Sequence, residues 1–561
     1  MADSTMSRNS PQGAASGGVG EDALDVLIIG AGFAGLYALH KVRDQMGLKA
    51  QAFDVASDVG GTWYWNRYPG ARCDIESIHY SYSFSESLQQ EWAWSEKFAA
   101  QPEILRYLNN VADRFDLRKD IQFNTRIISM VWDDDAKEWN VGFEDGAAVR
   151  ARFVISGAGN LSVPKTPEFG GIEEFRGEVY QTGNWPHQGV DFSGKRVGII
   201  GTGSTAIQAI SVIAKEAASL TVFQRTPNFA TPIGNGPSDP AEIAEVKANY
   251  GAIRDASRNH FLGVPYNEAQ PSALAVSVEE RRGTFDNRWD RGGFRLFIDS
   301  YQDILVDKAA NDTIADYIRE RIHGRVNDPA VAELLAPKGY AYGTKRPPLE
   351  TDYYEAFNRD NVTLVDVKKA PIRTVTATGV KTSADVYKFD VLILATGFDA
   401  MTGPLLAMGI VGRNGRRLED KWADGPHTYL GISVNEFPNL FLITGPQSPS
   451  VLYNMPLAIE DHVDFASDAI TYLRENGLAT IEPEAEAEEK WVAHANELAQ
   501  ATLLPGTDSW YMGANIPGKP RKCLVYLGGA PAYRQVCADV VADGYQGFVL
   551  ADNNAKVPAA L

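Results

Sequence analysis

Two glycine-rich strings, each followed at the same distance by a charged residue, are the residues of this chain best suited to chemistry. The first is Gly30-Ala-Gly32-Phe-Ala-Gly35, with Asp54 standing 19 residues after Gly35. Its glycines permit a tight turn and let backbone N–H groups approach a pyrophosphate at a helix N-terminus. The Asp54 carboxylate suits the two hydroxyls of a ribose, as in FAD or NAD. The second string is Gly201-Thr202-Gly203-Ser204-Thr205-Ala206, with Arg225 again 19 residues beyond its last small residue. A guanidinium followed by the Thr226 hydroxyl suits a ribose 2′-phosphate, which points to NADPH over NADH. One acid-marked and one arginine-marked motif imply FAD together with NADPH, and hence hydride transfer from nicotinamide to flavin.

The electrons then need an acceptor. The cysteines are Cys73, Cys523 and Cys537, and no two stand at dithiol spacing. A disulfide acceptor is therefore disfavoured. Molecular oxygen needs no protein redox group, so oxygenase or oxidase chemistry moves forward. No residue cluster has metal-ligand spacing, and no metal is expected. A third string, Gly343-Thr344-Lys345-Arg346-Pro347-Pro348, sets two adjacent cations before two prolines. Proline restricts the backbone, which argues for a fixed loop over a solvated basic pair.

Positioning these strings calls for strands. Asp25–Ile29, Arg196–Ile200 and Asp390–Ala395 are short apolar runs rich in branched residues. Such runs suit parallel strands covered on both faces. Leu36–Val42 reads as the helix after the first motif, and a similar run follows the second. Between Ala230 and Tyr342 charged and apolar residues alternate at helical spacing, notably over Ala241–Ser257 and Tyr301–His323. The expected fold is α/β, with two Rossmann-like dinucleotide-binding domains and a helical insertion. The expected boundaries are a flexible tail at 1–22, an FAD domain from 23–160 with 396–561, an NADPH domain from 161–230 with 343–395, and the insertion at 231–342.

The bulk numbers set the outer limits. A chain of 561 residues exceeds one core and needs two or more domains. With 53 basic and 72 acidic residues the formal net charge is −19, which disfavours nucleic acid and anionic membranes as partners. The tail lacks the apolar centre of a signal peptide, and no run is long and apolar enough to span a membrane. Three unpaired thiols in so long a chain fit a reducing cytoplasm. No coiled coil or repeat fixes an oligomeric state, and a monomer is compatible with the chain.

Four longer strings resemble the Baeyer–Villiger monooxygenase family, the class B flavoprotein monooxygenases of phenylacetone and cyclohexanone monooxygenase type. They are Val59–Asp74, Gly343–Pro348, Ala395–Gly403 and Ser509–Lys519. They lie in the family's order and, with the first glycine motif, span almost the whole chain. The family fingerprint FxGxxxHxxxWP reads here Phe175-Arg-Gly177-Glu-Val-Tyr-Gln181-Thr-Gly-Asn-Trp185-Pro186, with Gln181 in place of the histidine. In the family that histidine supports domain movement. Glutamine keeps the hydrogen bonding and cannot carry the charge, so the coupling of NADPH binding to movement is the property this departure touches.

The resemblance implies roles for particular residues. Thr62, Trp63, Arg72, Cys73, Tyr80 and Met455 border FAD. Asp74 lies by flavin and nicotinamide, paired to Arg346. Thr202 to Gln208 hold the NADPH pyrophosphate, while Arg225, Thr226 and Lys345 hold its 2′-phosphate. Trp510 covers the nicotinamide from a mobile C-terminal loop. The implied reaction inserts one oxygen atom of O2 beside a ketone carbonyl, through a C4a-peroxyflavin, and releases an ester or lactone. Arg346 is the permanent cation that keeps the peroxide ionised. Two other readings compete. A flavin N- or S-monooxygenase would use a protonated peroxide and would not need Arg346. A non-catalytic redox sensor would bind both nucleotides and signal by shape. The loop Gly445–Met455 resembles the longer version found in relatives that take aryl or bulky ketones, and Tyr453 adds bulk there. The choice among cyclic, aryl and linear ketones stays open.

Overall fold

The computed structural model describes residues 23–552 apart from 166 and 168. The tail expected at 1–22 lies outside the described residues. Two mainly parallel sheets dominate. The first contains β1 (Leu24–Ile29), β2 (Ala50–Phe53), β3 (Ile121–Gln122), β4 (Ile127–Asp133), β5 (Glu138–Phe143) and β6 (Ala148–Ser156). Strand β1 is central, parallel to β2 on one side and β6 on the other. Two short strands from far along the chain complete this sheet: Ile410–Val411 pairs with β4, and Leu440–Leu442 pairs with β6. The second sheet holds β7 (Glu178–Gln181), β8 (Arg196–Ile200), β9 (Ser219–Gln224), Val362–Asp366 and Val391–Leu394, all parallel.

The apolar runs form central strands because both faces find a core. Along β1, Val26 and Ile28 enter one buried cluster, and Leu27 and Ile29 enter another on the opposite face. The second sheet repeats this. Val197, Ile199, Val391 and Ile393 face one cluster, while Ile200, Leu392 and Leu394 face another. Alternation with period two thus survives inside runs that are apolar throughout. Truncating one of these side chains, Ile28→Ala for instance, removes about 2–5 kcal/mol.

The helix Phe33–Leu39 follows the first motif and continues as a π-turn over His40–Gln45. It packs on Met455–Glu475, whose Val463 and Ile470 share a core with Val26 and Leu36. The C-terminal third is thereby stapled to the first sheet. The helix Ser204–Glu216 follows the second motif. Most of the chain from 240 to 335 is helical, and Ile314, Ile318 and Ile322 of Lys308–Arg325 share the core of β8. Thr231–Pro232 and Leu349–Glu350 form a short parallel pair at the neck of this excursion.

One buried histidine locks the C-terminal helix to the first sheet. His462 Nδ1 accepts the Thr444 N–H at 2.9 Å, and Nε2 lies 2.7 Å from the Tyr533 hydroxyl. Tyr533 donates in turn to the Leu430 carbonyl at 2.7 Å. This chain of donors requires a neutral ring protonated at Nε2. Burial depresses His462 to about 3. A histidine with a depressed folded pKa favours the native state fully above its unfolded value and loses that contribution as pH falls towards the folded one. The slope is about 1.4 kcal/mol per pH unit for one proton. His462→Gln is therefore expected to lower the melting temperature at neutral pH. It should also flatten the pH dependence of melting between about pH 6.5 and 5 relative to the wild type. Identical pH dependence of the two proteins, measured by calorimetry, contradicts this account.

Candidate active site

The first residue of each glycine motif sits in the same predicament. Gly30 has φ +93°, and a Cβ there would lie 2.6 Å from the Gly157 carbonyl oxygen at the end of β6. Gly201 has φ +118°, and a Cβ would lie 2.3 Å from the Ala395 oxygen beyond Val391–Leu394. Each loop is pressed under the end of a neighbouring strand, so neither site admits a side chain. Gly35 is tighter still, since its Cβ would meet the Gly30 oxygen, and Ala206 takes the matching place in the second motif. Gly32 faces Gly61, with a would-be Cβ 3.2 Å from the Gly61 Cα, while nothing lies within 4 Å of the Cβ position at Gly203. Both helices start without a side-chain cap, at Gly32 and Gly203. Their leading N–H groups are left for another acceptor. Uncapped helix ends and cradles that a Cβ would fill fit phosphate groups.

Asp54 is buried at the end of β2. Its two oxygens accept the N–H groups of Ala31 at 2.6 Å and Ala56 at 2.7 Å, and each oxygen keeps a second lone pair. Burial raises its pKa and these backbone donors oppose the rise. Trp63 and Tyr80 form an edge-on pair joined by an indole-to-hydroxyl bond of 3.2 Å. Thr62 opens the short helix beside them and is exposed. Cys73 is buried, its thiol pushed well above the usual range by burial. Arg72 points elsewhere: it donates to Glu96 and to the Phe98 carbonyl.

The second motif divides likewise. Gly203 and Ser204 are exposed and Thr205 half-buried. Thr202 instead donates inward to the Thr226 carbonyl. Gln208 accepts from Tyr68 and donates to the Arg72 carbonyl, so its amide bridges the helix of the second motif and the Val59–Asp74 string. Arg225, at the end of β9, is exposed. Lys345 is half-buried with its ammonium 4.8 Å from the Tyr340 ring. Burial depresses its pKa, and Arg225 depresses it further.

Arg346 and Asp74 form a two-pronged ion pair, Nε to Oδ2 at 2.8 Å and Nη2 to Oδ1 at 2.9 Å. Nη1 donates to the Val451 carbonyl at 2.7 Å. The Phe294 ring lies 4.6 Å from the guanidinium carbon. About a quarter of each charged side chain stays accessible, at 24% and 25%. Desolvation alone would weaken the Arg346 charge, but Asp74 outweighs it and holds the group above its ordinary value. Tyr511 is buried beside it. Burial pushes the phenol up to about 12, against the pull of Arg346. Arg346 and Tyr511 line a cavity of about 30 Å³ with Ile75, Phe294, Leu452 and Tyr453. That volume suits one water molecule.

Three contributors carried no sequence signal as partners of Arg346. Val451 acts through its backbone, Phe294 comes from the helical excursion, and Tyr511 stands beside the more conspicuous Trp510. Met455 begins the long C-terminal helix, next to Asn454, whose amide donates to the His79 and Gly263 carbonyls. Trp510 packs against Tyr511, with ring centres 4.6 Å apart and the planes tilted by 48°. Its loop is tied down by Asn515 donating to the Phe398 carbonyl and by a Lys519–Asp399 ion pair. Gln181 ends β7, paired to Leu394, and the nearby Trp185 N–H donates to the Trp65 carbonyl, so the fingerprint segment touches both motif regions.

A family model described as flavin-binding monooxygenase-like matches residues 23–231. The acetone monooxygenase (methyl acetate-forming) of Gordonia sp. strain TY-5 is 44% identical, over 94% of this chain and 99% of its own. A phenazine N-monooxygenase of Lysobacter antibioticus is 42% identical, over 94% of this chain and 97% of its own. A solved structure titled as an oxidized steroid monooxygenase bound to NADP is 51% identical with a TM-score of 0.90, covering 95% of this chain and all of that one.

The ion pair yields a stability test independent of activity. Removing one member strands the other charge, at a cost of about 3 kcal/mol. Asp74→Asn is expected to lose most of that, and the Asp74→Asn/Arg346→Met double variant to recover much of it. Denaturant unfolding of the four proteins gives the coupling energy, and strictly additive losses would show that the pair is not energetically linked.

Proposed function

Because this chain belongs to the flavin-binding monooxygenase-like family, in its Baeyer–Villiger type, we propose that Arg346 and Asp74 form its catalytic centre. The protein is an FAD- and NADPH-dependent monooxygenase that converts ketones to esters or lactones. FAD, reduced by NADPH, supplies the activated oxygen that is inserted. The observation that carries the assignment of the centre is the two-pronged Asp74–Arg346 pair, closed on its third side by the Val451 carbonyl.

Oxygen insertion next to a carbonyl needs a nucleophilic, negatively charged oxygen. A neutral or titrating donor would return a proton to it, whereas a guanidinium does not. Asp74 fixes the orientation of that guanidinium and adds to its basicity. Val451 removes the remaining freedom about the side chain, and Phe294 supports its face. The N–H groups not held by Asp74 or Val451 remain to stabilise charge on the reacting oxygen. The apolar cavity walls restrict water and suit an uncharged ketone.

On the same reading, Gly30, Gly32, Gly35 and Asp54 hold the adenosine side of FAD, with Thr62, Trp63, Cys73, Tyr80 and Met455 towards its flavin end; the Arg72 side chain is engaged with Glu96, which leaves its backbone to that end. Gly203, Ser204 and Thr205 hold the NADPH pyrophosphate with Thr202 and Gln208 behind them. Arg225, Thr226 and Lys345 take the 2′-phosphate, and Trp510 covers the nicotinamide. The first sheet with the C-terminal third then forms an FAD domain, and the second sheet an NADPH domain. Three free thiols support a cytoplasmic setting, and no helix among the described residues is long and apolar enough to cross a membrane.

Arg346→Ala is expected to lower ester or lactone formation by about a thousandfold. Anaerobic reduction of bound FAD by NADPH should survive, and aerobic NADPH consumption should then release hydrogen peroxide. Stopped-flow absorbance with product analysis over cyclic, aryl and linear ketones checks both. Ester formation by Arg346→Ala near the wild-type rate would remove Arg346 from this role. An aromatic N-heterocycle in the same panel tests N-oxygenation, the activity named for the 42% identical relative.

A further inference from the structure

Two segments far apart in sequence run side by side past the nucleotide and the catalytic cation. Thr344 and Thr507 meet through their hydroxyls at 2.8 Å, and both are buried. The next residue on one segment is Lys345 and on the other is Asp508. One residue beyond Lys345 and three beyond Asp508, Arg346 faces the Tyr511 phenol. The segment 507–511 therefore carries an acid past the nucleotide cations and a phenol past the catalytic one.

The charges around Asp508 are unequal in kind. Arg225 and Lys368 both depress Lys345, and Asp508 opposes them. Asp508 is held below the usual carboxylate range first by Arg521, with smaller contributions from Lys345 and Arg225. Arg521 grips it at 2.6 Å and also donates to the Pro505 and Thr507 carbonyls, both at 2.7 Å. The acid is thus fixed at the cationic cluster by a clamp within its own loop. It remains 81% exposed on its side chain, so its influence is screened.

We infer that Asp508 is a counter-charge built into the 2′-phosphate site, which selectively weakens binding of the phosphorylated nucleotide. The inference rests on the reading of Arg225 and Lys345 as the 2′-phosphate ligands. Without phosphate, Arg225, Lys345 and Lys368 repel one another, and Asp508 offsets part of that repulsion. With phosphate present the cations are already matched, and Asp508 becomes a like charge beside a dianion. The same acid therefore stabilises the phosphate-free site and opposes the phosphate-bound one. A nucleotide lacking the 2′-phosphate meets no such opposition.

The test is calorimetric titration of the FAD-loaded protein with NADP+ and with NAD+, at low and high salt. Asp508→Asn is expected to tighten NADP+ about threefold at low salt, with less effect at high salt. Its affinity for NAD+ should not change, and Asp508→Glu should keep the wild-type ratio. Lys345→Ala is the control for the site and should weaken NADP+ by about tenfold or more, without a matching loss for NAD+. If Lys345→Ala shifts the ratio and Asp508→Asn does not, the counter-charge is wrong and the phosphate site stands. Equal tightening of both nucleotides by Asp508→Asn marks a general loop effect and also overturns the inference. An unchanged ratio in Lys345→Ala overturns the phosphate site itself.

Discussion

A guanidinium that cannot lose its charge has to be kept inside the protein, and the rest of the site is arranged around that demand. Burying such a group alone costs several kcal/mol. Asp74 meets the cost with two parallel hydrogen bonds, and Val451 adds a carbonyl. The segments involved come from five distant parts of the chain, at residues 74, 294, 346, 451 and 511. No local segment supplies the pocket, so the charge is stable only when both sheets and the helical excursion have come together. Assembly of the site and completion of the fold are in this sense one event.

The two glycine loops show how the sheets prepare for that event. Each loop begins with a glycine at positive φ, pressed under a carbonyl from the end of a neighbouring strand. Those carbonyls belong to Gly157 and Ala395, and the chain leaves each of them towards the other motif's territory. Residues 157–177 run on to β7, and residues 396–410 run back to the first sheet. The strand that closes one nucleotide cradle therefore also leads into the connection between the sheets. Gln208 reinforces the link by bridging Tyr68 and the Arg72 carbonyl. Its amide serves this contact between the regions, which its place in the second motif did not disclose.

What the sequence made legible follows from physical range. Strands β1, β8 and Val391–Leu394 were readable because burial on both faces demands an unbroken apolar run. The helices over 240–258 and 308–325 were readable from the spacing in Ala241–Ser257 and Tyr301–His323. Asp54 and Arg225 were readable as ends of strands at a fixed distance from glycine turns. The pairing of Arg346 with Asp74 came from family resemblance, since 272 residues separate them. Phe294 under the guanidinium and Lys368 near Lys345 were not legible, because an aromatic in a helical stretch and a lysine in a surface turn have many ordinary uses. Val451 was illegible for a deeper reason: its contribution is a carbonyl, and every residue has one. Arg72 and Thr202 sit in the right strings, yet their side chains turn to Glu96 and to the Thr226 carbonyl. Motif membership fixes where a backbone passes and leaves the side chain's direction to its neighbours.

The walls of the cavity beside Arg346 differ in what holds them. Asp74 and Arg346 hold each other, because separating them strands two charges. The loop Thr444–Met455 is held against strain, since Thr444, Gln447 and Ser450 all have positive φ without being glycine. Such conformations cost about 1–3 kcal/mol each and persist only while their surroundings enforce them. Here the enforcement comes from Asn160 donating to Ser450 and from the buried Gln447 amide donating to the Pro426 carbonyl. The other wall is the segment of Tyr511, held to Arg346 on one side and to Thr344 through Thr507 on the other. Both walls touch the guanidinium, one by the Val451 carbonyl and one by the phenol. A displacement of either wall would therefore take a partner from Arg346 and leave the guanidinium more dependent on Asp74.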